Sequence, residues 1–155
     1  MIRRAEEKDI PALRRLLYQV HRVHADIRPD IFVPDGIKYT DEDLSALLAD
    51  GKRPVFVLIG EDGEVAGYAF CVLQETEAGP SLAARRTLYV DDICVDRDAR
   101  RSHVGTRLYA HVRAFAKAEG CSSITLNVWE GNDAAKAFYT RMGMRPLKTT
   151  LEEVL

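Results

Sequence analysis

Thr87-Leu88-Tyr89-Val90-Asp91-Asp92-Ile93-Cys94-Val95 leads to the basic turn Arg100-Arg101-Ser102-His103-Val104-Gly105-Thr106, and then to apolar residues spaced three or four apart: Val104, Leu108, Val112, Phe115 and Ala116. The first stretch is rich in β-branched and aromatic residues and stops at the charged run Asp96-Arg97-Asp98, which predicts a strand. Simple alternation along it puts Asp91 and Asp92 on opposite faces. The apolar spacing predicts an amphipathic helix from Val104 to Glu119, with Gly120 as its stop. A turn between a strand and a long helix gathers unpaired backbone N–H groups at the positive helix end, where phosphate is attracted. Gly105 would let a ligand approach the backbone closely. An ordinary turn with solvated arginines reads the same way, so this segment alone does not decide.

Working outward, Ser123 to Val128 (SITLNV) is the next predicted strand, and Asp133 to Met142 a short helix closed by Gly143. Met144 to Leu155 has enough Thr, Leu and Val for a last strand or strand pair. Upstream, Pro54 to Gly60 and Val65 to Gln74 flank an Asp62-Gly63 turn and predict two antiparallel strands. Ile2 to Ala5 makes a short first strand, and Asp9 is the expected N-cap of a helix with Leu13, Leu16, Leu17 and Val20 on its core side. His21 to Lys38 lacks a clean period and reads as a long connection; Thr40 then caps a helix from Asp41 to Ala49. The order of elements, with no internal repeat or linker, predicts one α/β (α+β) domain spanning 1–155.

The 155 residues are 46% hydrophobic and 30% charged, a balance that excludes a disordered chain. No apolar run is long enough to span a bilayer, and none follows Arg3-Arg4 to act as a signal peptide, so the cytoplasm is the expected compartment. With a net charge of −2 and no basic tract, nucleic acid is not an expected partner. Cys71, Cys94 and Cys121 are widely spaced and odd in number, so thiols are expected in place of a disulfide or a metal site.

Asn132-Asp133-Ala134-Ala135-Lys136-Ala137-Phe138-Tyr139-Thr140-Arg141-Met142-Gly143-Met144 resembles a hallmark of the GNAT superfamily of N-acetyltransferases, Asn-x-x-Ala-x-x-Phe-Tyr followed by Gly-Phe or Gly-Met. The basic turn resembles the other hallmark, Arg/Gln-x-x-Gly-x-Gly/Ala, with Arg100 leading and Gly105 closing. His103 stands where that motif has its first glycine, and a side chain there makes positive φ costlier. The resemblance covers essentially the whole chain. It implies a GNAT fold with a mixed, mostly antiparallel sheet flanked by helices.

It also implies acetyl-CoA (coenzyme A) held by backbone groups of Ile93, Cys94 and Val95 and by the turn Arg100, Arg101, Ser102, His103, Val104, Gly105 and Thr106, with Asn132 reaching it from the last helix. Ile93 and Val95 are equally expected as core residues, His103 as a solvated helix start, and Asn132 as an N-cap. Tyr139 matches the family position whose hydroxyl protonates the departing thiolate; its other reading is a core aromatic. Tyr89 to Val95 resembles a run of the diamine acetyltransferases that places Asp91 at their acidic, proton-accepting position. There Asp91 is a base or amine anchor, with Asp92 second, or else a solvated carboxylate.

The long connection containing His24 and Phe32 is implied to wall the acceptor site. A homodimer is expected only as a habit of the family. The function implied is direct acetyl transfer to a primary amine in a ternary complex. The covalent route through Cys94 is disfavoured, because a strand cysteine between Ile93 and Val95 should be a buried, protonated thiol. Two rivals remain at this point. One is a silent module of the same fold that binds acetyl-CoA as a sensor; the other binds a different phosphate ligand through the basic turn.

Overall fold

The computed structural model describes residues 1–99 and 102–155. Arg100 and Arg101, both expected to contact the cofactor, lie outside the described residues. Five strands, β1 (Ile2–Arg4), β2 (Val55–Ile59), β3 (Val65–Thr76), β4 (Arg85–Val95) and β5 (Ser123–Leu126), form one sheet in chain order. The first three pairings are antiparallel and β4–β5 is parallel. Parallel neighbours need a crossover, which the helix α3 (Val104–Ala118) supplies, as its apolar period predicts.

The remaining helices are α1 (Ile10–Ile27), α2 (Asp41–Ala49) and α4 (Asp133–Arg141). β2 is apolar along its whole length because both its faces are covered. Val55 and Val57 pack with Leu13, Leu16, Leu44 and Leu47 of α1 and α2. The alternate residues Phe56 and Leu58 join separate clusters that include Val112 and Leu108 of α3. The sheet is therefore sandwiched, with α1 and α2 on one face and α3 on the other.

Thr40 caps α2 as expected, its Oγ1 accepting from the Asp43 N–H at 3.1 Å. Three expectations are corrected. Asp9 sits at the N-cap position of α1 without capping it: its carboxylate accepts instead from Arg3 at 2.7 and 3.0 Å and from the Glu6 N–H at 2.8 Å. An arginine fork satisfies both carboxylate oxygens better than one amide can. The helix α1 runs on to Ile27, taking in residues 21–27 of the expected long connection. Met144 to Leu155 forms no strand, and Leu147, Leu151, Val154 and Leu155 stay exposed. Strand propensity cannot act without a neighbouring ladder, and this segment pairs with none of the sheet's five strands.

Candidate active site

The sequence period fails usefully in β4. Its pairing with β3 slips between Phe70 and Cys71, so that Phe70 faces Asp92, Cys71 faces Val90, and Asp91 is the extra residue of a β-bulge. The bulge switches faces. Leu88 and Val90 belong to the α3 side, whereas Cys94 lies in the α1 cluster with Tyr68 and Phe70. Strict alternation would have kept Leu88, Val90, Asp92 and Cys94 together, and Asp91 and Asp92 apart.

Because of the bulge, the two carboxylates converge. Lys38 Nζ lies 3.1 Å from Asp91 Oδ2 and 3.8 Å from Asp92 Oδ2. Tyr39 donates its hydroxyl to the same Asp91 oxygen at 2.9 Å, and Tyr68 donates to Asp92 Oδ2, also at 2.9 Å. Asp92 is buried, and burial pushes its carboxyl up to about 6; Lys38 and the Tyr68 hydroxyl pull the other way. Burial works to lower the Lys38 ammonium, but Asp92 and Asp91 outweigh it and hold Lys38 above its usual range. Lys38, Tyr39 and Tyr68 give no sequence signal; only the bulge and the return of the chain before α2 bring them to the Asp91–Asp92 pair.

The bulge also lies where β4 outruns its second neighbour. β5 pairs with Thr87 to Val90 and no farther, while β3 continues along Asp92 to Val95. Asn127 Nδ2 donates to the Tyr89 hydroxyl at 3.2 Å, just past the end of β5. Ile93, Cys94 and Val95 therefore lie on the stretch of β4 that extends past β5. The Ile93 and Val95 side chains pack toward α3 as expected core residues. The buried Cys94 thiol approaches the Leu16 carbonyl at 3.6 Å.

At the head of α3, His103 adopts φ 57 and ψ 23, the left-handed conformation, and its side chain does not cap the helix. The residue that replaces the motif glycine thus takes the backbone shape a glycine would. Ser102 donates its hydroxyl to the Ala99 carbonyl at 2.7 Å, and Thr106 is exposed. The lack of a side chain at Gly105 also serves packing: a Cβ would meet the Phe138 ring at 3.3 Å and Val95 Cγ2 at 3.5 Å. There α3 lies against both Phe138 of α4 and Val95 of β4.

Asn132 acts as the N-cap of α4, its Oδ1 accepting from the Ala135 N–H at 3.4 Å. Tyr139 is partly buried, its ring 5.2 Å from Phe138 and 6.4 Å from Tyr109. Burial, and then the nearby Asp92, push its hydroxyl well above the usual tyrosine range, so it holds its proton at neutral pH. Phe32 stacks among His24 at 5.2 Å, His21 at 5.9 Å and Trp129 at 5.1 Å. This ties the segment after α1 to the segment after β5, and Trp129 is a further residue the sequence did not single out. Burial holds the His24 imidazole below its usual value. A cavity of about 500 Å³ between α1 and residues 35–39 reaches Lys38 and Tyr39 from the other end of the same connection.

Comparison with known proteins agrees with this architecture. A structure of the BH1408 protein from Bacillus halodurans superposes with a TM-score of 0.96 at 33% identity, over 100% of this chain and 99% of that one. An aminoglycoside N-acetyltransferase, AAC(6')-Iy, in complex with CoA has the same fold at a TM-score of 0.74 and 14% identity, over 100% of this chain and 98% of that one. Streptothricin acetyltransferase of Streptomyces lavendulae is 31% identical over 73% of this chain, which spans 54% of that protein's length. Thialysine N-epsilon-acetyltransferase of Bos taurus is 26% identical over 95% of this chain and 85% of its own. Residues 18–144 match the acetyltransferase (GNAT) family. With that match running from within α1 to just past α4, the chain belongs to this family.

Proposed function

We propose that this protein transfers the acetyl group of acetyl-CoA to a primary amine by direct attack, with both substrates bound together. The observation that carries the reading is the extension of β4 past the end of β5, with two carboxylates converging at its bulge. The residues present fit the cofactor. Ile93, Cys94 and Val95 lie on that extension, where ligand amides can add on the β5 side as a strand would. The left-handed His103 turns the chain into α3 without placing a side-chain cap over its first amides, which suits a pyrophosphate there. Ser102, Val104, Gly105 and Thr106 complete that turn, and Asn132 fixes the start of α4 beside it. When bound, acetyl-CoA supplies an activated acyl thioester.

The protein's own residues then have three tasks. An aliphatic ammonium of pKa about 10.4 costs roughly 4.6 kcal/mol to neutralise at pH 7, so a base matters. Asp92, with a carboxyl near 6, is better poised for this than an ordinary aspartate, and Asp91, the more exposed of the two, anchors the incoming ammonium. The order expected from sequence, Asp91 as base and Asp92 second, is therefore reversed in this proposal. Tyr139, protonated and within electrostatic reach of Asp92, donates to the departing sulfur. The Phe32, His24 and Trp129 cluster walls the acceptor side and limits water.

A thiol-release assay with acetyl-CoA over a panel of amines tests the function. Release that depends on an amine, with matching gain of one acetyl group by that amine, supports it. Tight acetyl-CoA binding with no release for any amine would overturn it.

A further inference from the structure

We propose that Lys38 is itself an acetyl acceptor, modified on Nζ at this site when no external amine occupies it; the inference rests on the function proposed above. An acceptor amine arrives as an ammonium and has to lie beside the carboxylates that anchor it and take its proton. Lys38 Nζ already lies there, within 3.1 Å of Asp91 and 3.8 Å of Asp92. The contact reaches across the fold: Lys38 is on the connection ahead of α2, 53 residues from Asp91.

The side chain is held on course, not merely near. Its ammonium sits 5.4 Å from the centre of the Tyr39 ring, and the Tyr39 hydroxyl donates to the same Asp91 oxygen. By contrast, Lys8 and Lys136 pair with the exposed carboxylates of Glu6 and Glu130. The cavity of about 500 Å³ bordering Lys38 gives its chain space to withdraw when an external amine takes its place.

The step balances without any further reactant. The Lys38 ammonium gives one proton to the Asp92 carboxylate, and the nitrogen lone pair forms a bond to the acetyl carbonyl carbon of acetyl-CoA. The carbon–sulfur bond breaks with its electron pair on sulfur, the nitrogen loses its second proton, and the sulfur gains one. The products are acetylated Lys38, coenzyme A thiol and one proton released to solvent.

The experiment incubates the full chain with acetyl-CoA and no amine at mildly alkaline pH, and reads acetyl occupancy at each of its six lysines by peptide mass spectrometry. A parallel incubation uses acetic anhydride, which needs no binding site. With anhydride, the ion-paired Lys38 should be among the slowest to react; with acetyl-CoA it should be the fastest, by about tenfold or more, because the thioester is held beside it. The same ranking with both reagents, or Lys38 no faster than the others with acetyl-CoA, would overturn the inference. Calorimetry separates the two proposals. If acetyl-CoA binds and amines are acetylated while Lys38 is not, only this inference fails, whereas absence of acetyl-CoA binding removes both.

Discussion

Replacing Asp92 with asparagine takes away a buried charge while leaving an oxygen to accept from Tyr68. In the folded protein the Asp92 carboxyl is raised from 3.8 to about 6, chiefly by burial, so the native state holds this proton more tightly than the unfolded chain does. The associated stability is present below about pH 4 and is lost as pH rises through about 6. Above that, ionised Asp92 costs the difference in full: about two pH units at about 1.4 kcal/mol each, or about 3 kcal/mol. The Asp92→Asn variant would escape this cost. Its new amide nitrogen brings a desolvation penalty of its own, on the order of 1–3 kcal/mol, but that penalty does not change with pH.

The quantity to measure is therefore how the difference in melting temperature between Asp92→Asn and the parent varies with pH. At about 2–4 °C per kcal/mol for a chain of this size, it should move by roughly 6–12 °C in favour of Asp92→Asn between about pH 4 and about pH 8. Scanning calorimetry in a buffer series gives it directly. A difference that stays flat across that range, or grows in favour of the parent, would mean that Asp92 is not a burial-strained carboxylate and would remove its claim as a base. The variant should also lose most of its turnover, trading activity for stability.

Other outcomes follow from the same geometry. In the parent, kcat/KM should rise with pH through about 6 as Asp92 ionises, and Asp92→Asn should lose that inflection; a profile without an inflection there would point to another base. Tyr139→Phe keeps the ring among Phe138 and Tyr109, so turnover should fall about tenfold or more, the low end for a general acid, with melting temperature and cofactor affinity unchanged. Equal turnover would make Tyr139 structural. Gly105→Val should push apart Phe138 and β4, lowering the melting temperature as well as acetyl-CoA affinity measured by calorimetry; loss of affinity alone would mean the glycine serves the ligand directly. His103→Gly relieves a left-handed φ of 57 and should raise stability by up to about 1 kcal/mol by denaturant titration, whereas a loss would show that the imidazole has a stabilising contact.

The sequence by itself determined the order and type of nearly every element, because apolar period is a local property. The spacing of Val104, Leu108 and Val112 makes a helix, and the Asp62-Gly63 turn makes a hairpin, wherever they sit. It also determined the family, through the residues around Arg100 and Asn132. The tertiary structure decided the site. Asp91 and Asp92 are neighbours that simple alternation separates, and only pairing with β3, slipping by one residue at Cys71, brings both carboxylates to Lys38. Lys38 and Tyr39 arrive from one stretch of chain and Tyr68 from another, while Trp129 meets Phe32 from a third, and no local pattern encodes such meetings. The same distinction explains the last segment. Met144 to Leu155 carries the composition of a strand, but a strand exists only through hydrogen bonds to a neighbour, and a neighbour is a property of the fold.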